Sequence, residues 1–153
     1  MADKLNRPCF ARPVLSLPRK TIIVVNFSEV IMRPEDVLNL YETKIKLRSF
    51  DELVPLIADD AVFWFSDGSH YGMDEIRAAF ERTWQKVRDE VYWLEDLRWV
   101  AVSDNAASCI YAFHWKGLWD GKAFEGKGRG TTVLRKEADK WKIVHEHLSH
   151  FPQ

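Results

Sequence analysis

The sequence predicts an α+β domain, with N-terminal helices packed on one face of an antiparallel β-sheet. Three observations carry that prediction. Up to about residue 88, apolar residues recur at helical spacing. After Arg88 come long runs rich in β-branched and aromatic residues. Short turn signals, Ser103-Asp104-Asn105, Trp119-Asp120-Gly121 and Glu137-Ala138-Asp139, separate those runs into consecutive hairpins. The length of 153 residues fits one domain. A composition of 46% hydrophobic and 29% charged residues excludes a disordered chain. A net charge of −1 gives no global attraction to nucleic acid or an anionic membrane, and no segment has the apolar length of a span.

Residues 1–33 read as an N-terminal extension and 34–153 as the domain. The extension carries charges and prolines, without the apolar region of a signal peptide. Its run Thr21–Phe27 reads as a strand or docking segment. The only cysteines, Cys9 and Cys109, form neither a disulfide framework nor a zinc spacing, so a cytoplasmic protein with reduced thiols is expected.

Pro34 suits the first turn of a helix, and Glu35 and Asp36 suit its positive end. Val37, Tyr41 and Ile45 then form one buried stripe. Ser49-Phe50-Asp51-Glu52 has the pattern of a capping box and predicts a second helix, which Pro55 keeps short or kinked. Ala61–Phe65 reads as a short strand and Ser66-Asp67-Gly68-Ser69 as a turn. A third helix follows Gly72, with Ile76, Phe80 and Trp84 on one face. The remaining runs, 90–102, 106–117, 122–136 and 141–150, read as strands. Arg129 between Gly128 and Gly130 marks a bulge or a close backbone approach. Seven basic and three acidic residues between 122 and 142 read as a solvated hairpin face, since no aromatic platform accompanies them.

Both faces of the strands at 106–117 and 141–150 carry large apolar groups. One face covers the helices. The other needs a cover too, and a second copy of the chain supplies it, which predicts a homodimer through the outer sheet face. Simple alternation along 141–150 puts Trp141 on that outer face.

Several segments together resemble the nuclear transport factor 2-like superfamily, specifically its SnoaL-like branch. They are Ile57-Ala58-Asp59-Asp60-Ala61-Val62, Gly72 ahead of Ile76, and the hairpin from Gly128-Arg129-Gly130-Thr131-Thr132 through Trp141 to Ser149. The resemblance covers about 34–150. It implies a cystatin-like cone: a strongly bent antiparallel sheet wrapped around the N-terminal helices, with a pocket at the open end. The fold hosts many functions. Set beside ketosteroid isomerases, the oxyanion-stabilising tyrosine falls at Tyr41. The general base falls at Phe65 and the second oxyanion donor at Thr132, so steroid isomerisation as such is not implied. Set beside the association domain of calmodulin-dependent kinase, the pocket tryptophan falls at Trp84. Its arginines fall at Phe113, Thr132 and Leu148, so a carboxylate site of that kind is not implied either. What the resemblance does imply is a mostly apolar pocket lined by Phe65, Trp84, Phe113, Thr132 and Leu148, with Tyr41 and Glu146 as its polar groups.

Glu146 is the sharpest chemical candidate. Directed into an apolar cavity, its carboxyl would have a raised pKa and a need for a partner such as Tyr41 or Thr132. Tyr41 is a hydrogen-bond donor from the helix, and Asp67 a rim carboxylate that could serve as a base. His145 and His147 share one strand face, outward on this parity, and read as interface histidines; no metal and no cofactor are expected. No phosphate loop, dinucleotide fingerprint or nucleophile elbow occurs. Two functions fit. One is a domain binding a small, mostly apolar organic molecule, as a cofactor-independent isomerase, cyclase, dehydratase or hydrolase. The other is a non-catalytic dimerisation, association or accessory module.

Overall fold

The computed structural model describes residues 32–152. The extension, including Thr21–Phe27, lies almost wholly outside the described residues. Pro34 opens helix α1 (Pro34–Ile45), and the Asp36 carboxylate accepts the backbone N–H of Arg33 at 2.9 Å. Val37, Tyr41 and Ile45 are buried, as their spacing requires. The predicted second helix is instead two 3-10 turns, Phe50–Glu52 and Val54–Leu56. Pro55 explains the difference. It lacks an N–H and cannot join an α-helical ladder, so i→i+3 bonds such as Leu53 N–H to Phe50 O (2.8 Å) close the turns. Ser49 makes no side-chain cap.

Six strands follow: β1 (Ile57–Phe65), β2 (Gly68–Tyr71), β3 (Val87–Val102), β4 (Ala106–Trp119), β5 (Lys122–Glu137) and β6 (Lys140–His150). Helix α2 (Gly72–Lys86) lies between β2 and β3. The sheet order is β2-β1-β6-β5-β4-β3. All pairs are antiparallel except β1–β6, which is parallel. The turn expected at Ser66–Ser69 is tighter than that. Gly68 pairs with Phe65 and Ser69 with Trp64, so only Ser66 and Asp67 turn and the rest is strand.

Bulges bend the sheet. β3 shifts register between Arg88 and Val91 and between Glu95 and Arg98, with Asp89 (φ 52°) and Asp96 (φ 54°) in the left-handed region that aspartate tolerates. No bulge occurs at Gly128-Arg129-Gly130, where β4 and β5 pair without interruption. The close-approach reading is the one that holds. A Cβ on Gly128 would meet the Phe113 ring, and one on Gly130 the Tyr111 ring.

A further bulge in β6 decides the site. Leu134 pairs with Ile143 and Val133 with His145, leaving Val144 without a partner in the register. The inward set is therefore Trp141 and Ile143 before the bulge, then Glu146 and Leu148 after it. Trp141 is 7% exposed and belongs to the core, which corrects its assignment to the outer face. The extra residue flips the parity that simple alternation carries through. α1 and the inner residues of β1, β4, β5 and β6 close one hydrophobic core. No helix of the described residues is long and apolar enough to cross a membrane.

Candidate functional site

Glu146 sits on β6 between Phe63 of β1 and Thr132 of β5, only 2% exposed. Two tyrosines reach it from different elements. Tyr41 of α1 donates its hydroxyl to Glu146 Oε2 at 2.9 Å. Tyr111 of β4 donates to Oε1 at 2.9 Å. Thr132 Oγ1 lies 2.9 Å from the Tyr111 hydroxyl, whose proton is committed to Glu146, so Thr132 is the donor there. The result is a carboxylate held on both oxygens by neutral hydroxyls.

Burial raises the Glu146 carboxyl to about 7, against the opposing pull of the Tyr111 and Tyr41 hydrogen bonds. Among the described residues no basic group offsets that burial. The same burial, reinforced by the Glu146 charge, holds the hydroxyls of Tyr41, Tyr111 and nearby Tyr92 well above their usual range. These tyrosines are hydrogen-bond donors, not bases, at neutral pH. Burial also pushes the Cys109 thiol up to about 12, which removes it as a nucleophile.

Glu146 opens onto a cavity of about 320 Å³. Its walls are aromatic: Phe80 and Trp84 from α2, Tyr92 from β3, Phe113 and Trp115 from β4. Phe80 meets Tyr41, Phe50, Phe65 and Trp84, with ring centroids 5.3–6.5 Å apart. Tyr92 stacks on Phe113 at 6.5 Å. Asp67, Arg82, Lys86 and Glu90 bring charge to the lining. Burial raises the Glu90 carboxyl, with Arg48 opposing.

The structure brings Tyr41, Phe65, Asp67, Trp84, Phe113, Glu146 and Leu148 to this one cavity. Thr132 is the exception. It is fully buried behind Tyr111 and acts on Glu146 through that hydroxyl rather than lining the space. Asp67 stands in the exposed β1–β2 turn, its Oδ1 3.6 Å from Nε2 of His70. His70 itself lies on β2, tilted against Phe65.

Sequence reasoning gave no role to Tyr111, Tyr92 or Glu90. A signal for Tyr111 was present. Gly130 is its partner on β5, and a glycine there leaves room for the ring to lie across β5 toward β6. His145 and His147 turn to the other sheet face, around the Trp64 ring. The His145 Nδ1–H donates to Val62 O at 2.6 Å. Among the described residues no group of three His, Cys, Asp or Glu side chains is placed to hold a metal ion.

Comparison with solved structures recovers this architecture. A nuclear transport factor 2-like superfamily protein from Salmonella enterica serovar Typhimurium superposes with a TM-score of 0.71 at 21% identity, over 77% of this chain and 88% of that one. The association domain of CaMKII from C. elegans gives 0.63 at 17% identity, over 75% and 93%. A candidate ketosteroid isomerase from Shewanella frigidimarina gives 0.62 at 17% identity, over 74% and 92%. At such identities the likeness is one of fold. A comparison with curated proteins finds no match. The SnoaL-like domain family matches residues 35–153, which spans the helices, all six strands and the Glu146 site, and the chain therefore belongs to the SnoaL-like domain family.

Proposed function

We propose that the cavity binds a small, mostly apolar organic molecule and that Glu146 moves a proton on it, without a cofactor. The observation carrying this reading is a buried carboxyl with a pKa of about 7, held by Tyr41 and Tyr111 and opening onto aromatic walls. Near neutrality such a group is present in both protonation states, as general acid–base catalysis requires. In the ionised form it accepts a proton from a bound carbon or hydroxyl acid. The Tyr41 and Tyr111 hydroxyls stabilise that form and fix the carboxyl plane. Once protonated, Glu146 returns the proton to a second atom of the ligand or to a leaving oxygen. That cycle suits an isomerase, cyclase, dehydratase or hydrolase. Asp67, in the exposed turn, is a second carboxylate within the same lining. The position that would carry the isomerase base is Phe65, so the proton chemistry here runs from β6 rather than β1.

A thermal-shift screen of apolar metabolites tests this, with Glu146→Gln and Tyr41→Phe run beside the parent. Ligands of the cavity raise the melting temperature of the parent and do so less in both variants. Hits indifferent to both substitutions would overturn the assignment.

The second reading is an association module, in line with the likeness to a kinase association domain. What favours it is the outer sheet face. Trp64, Ile110 and the rings of His145 and His147 lie there, with Trp64 45% exposed. A homodimer through this face covers those groups. It leaves the cavity open on the opposite face, so the two readings are compatible.

A further inference from the structure

We infer that the occupant of the cavity is an organic cation, a protonated amine on an aromatic or apolar body, with its ammonium group seated on the Glu146 carboxylate. This rests on the reading of the cavity as a ligand site and adds the chemistry of the ligand.

The donor count comes first. The hydroxyl protons bonded around the carboxylate are committed: Thr132 to Tyr111, Tyr111 to Oε1, and Tyr41 to Oε2. Each carboxylate oxygen has a second lone pair, and these are what the floor offers a ligand. At the ionised carboxylate a carbonyl or carboxylate ligand would find acceptors facing acceptors. A group carrying N–H or O–H protons is matched, and an ammonium supplies three.

Charge comes second. Glu146 is buried with no Lys, Arg or His among its partners in the described residues. A neutral apolar ligand would offer its buried charge no partner. An ammonium would complete an ion pair in a place of low dielectric, where such a pair is strongest. An anionic ligand would add repulsion. Arg82 and Lys86, the basic groups of the lining, are exposed residues of α2.

The walls come third. The rings of Tyr92, Phe113, Trp84 and Phe65 line the cavity onto which Glu146 opens, and aromatic faces attract cations. The lining already shows such a contact, with Lys86 Nζ 5.8 Å from the Trp119 ring centre.

The consequence is a pH dependence with a definite sign. Ion pairing needs the ionised carboxylate, so amine binding strengthens as pH rises through about 7. The groups facing Glu146 are Tyr41 from α1, Tyr92 from β3, Cys109 and Tyr111 from β4, and Thr132 from β5. Burial moves the tyrosines and Cys109 up and away from this range. Phe63 of β1 has no charge. Asp67, Glu90, Arg82 and Lys86 stand elsewhere along the cavity, and His70 lies against Asp67 outside the lining.

The test is calorimetric titration of the full chain with naphthylmethylamine, naphthylmethanol and naphthoate, three head groups on one ring system, at about pH 6 and about pH 8. The amine should bind most tightly and gain about 10-fold between the two pH values, the change in the ionised fraction of a group titrating near 7. The alcohol should show no such gain, and naphthoate should bind weakest. In Glu146→Gln the amine should lose its pH dependence and fall to the level of the alcohol. A His70→Gln variant should keep the gain. Alcohol binding equal to amine binding at the higher pH, or a gain that survives Glu146→Gln, overturns the amine inference and leaves the cavity as a ligand site. No binding by any of the three overturns both.

Discussion

At one rung of the β1–β6 pair, Phe63 stands opposite Glu146; at the next, Trp64 stands opposite His147. The two rungs are adjacent in sequence and lie on opposite faces of the sheet. On the concave face Phe63 is fully buried and Glu146 is enclosed by tyrosine hydroxyls. On the convex face Trp64 is half-exposed and its polar neighbours are imidazoles, 5.0 and 5.7 Å away between ring centres. The same alternation thus serves two environments. On the concave face burial alters the acidity of a carboxyl, because water is replaced by hydroxyls without countercharge. On the convex face the rings keep contact with solvent and are available to a partner.

The largest difference between the faces should appear when the concave side is emptied. Phe63→Ala removes a fully buried ring next to Glu146 and should cost about 3–5 kcal/mol in denaturant unfolding. A loss comparable to that of an exposed residue would mean the concave side is not closely packed.

Next in size is the pH dependence of Glu146. Its carboxyl is at about 7 in the folded chain, against an ordinary 4.5. The folded state therefore binds more protons than the unfolded one between those values. Stability from this group is fully present below 4.5 and falls as pH rises through about 7. The loss should be about 3 kcal/mol, and Glu146→Gln should abolish it. Unfolding free energies measured at several pH values check this. A rise in stability across that window, in the parent but not in the variant, would reverse the sign argued for the concave face.

A smaller effect should come from Gly130→Ala. The added Cβ would press on the Tyr111 ring, and overpacking of this kind costs about 1–3 kcal/mol. The same change should displace the Tyr111 hydroxyl from Glu146. The titration midpoint of Glu146, read by NMR, should then move up, since a bond favouring the charged form is weakened. An unchanged midpoint would separate Tyr111 from the acidity of the site.

How much of this was legible in the sequence depends on whether local or distant contacts set the feature. The stripes Val37-Tyr41-Ile45 and Ile76-Phe80-Trp84 lie within single helices, so spacing alone places them. The inward direction of Glu146 followed from the same parity as Leu148. Trp141 did not follow it, because the Val144 bulge comes between them and no single residue type announces a bulge there. The Pro55 turns were legible as a disruption, but not as two 3-10 turns. β2 was hidden because Gly68 and Ser69 are turn residues by composition and become strand only by pairing with β1. Tyr111 shares its strand face with the buried Cys109 and Phe113. Its bond to Glu146 crosses a whole strand, and sequence spacing carries no record of such a reach.

The convex face supplies the smallest effect on folding and the clearest contrast with Phe63. Trp64→Ala should change the stability of the isolated chain by only about 0.5 kcal/mol, as for a surface site. Its effect should appear instead in association. Trp64, 45% exposed, and the two histidine rings form an aromatic cluster, which the proposed dimer would cover by presenting the same cluster across a two-fold axis. Sedimentation at micromolar concentration should show a dimer for the parent and a shift toward monomer for Trp64→Ala, with Glu146→Gln remaining dimeric. A monomeric parent would remove the proposed interface outright. A dimer indifferent to Trp64 would place it on another surface. In either case the concave site would stand by itself, since nothing in the Tyr41–Glu146–Tyr111 arrangement draws on the convex face.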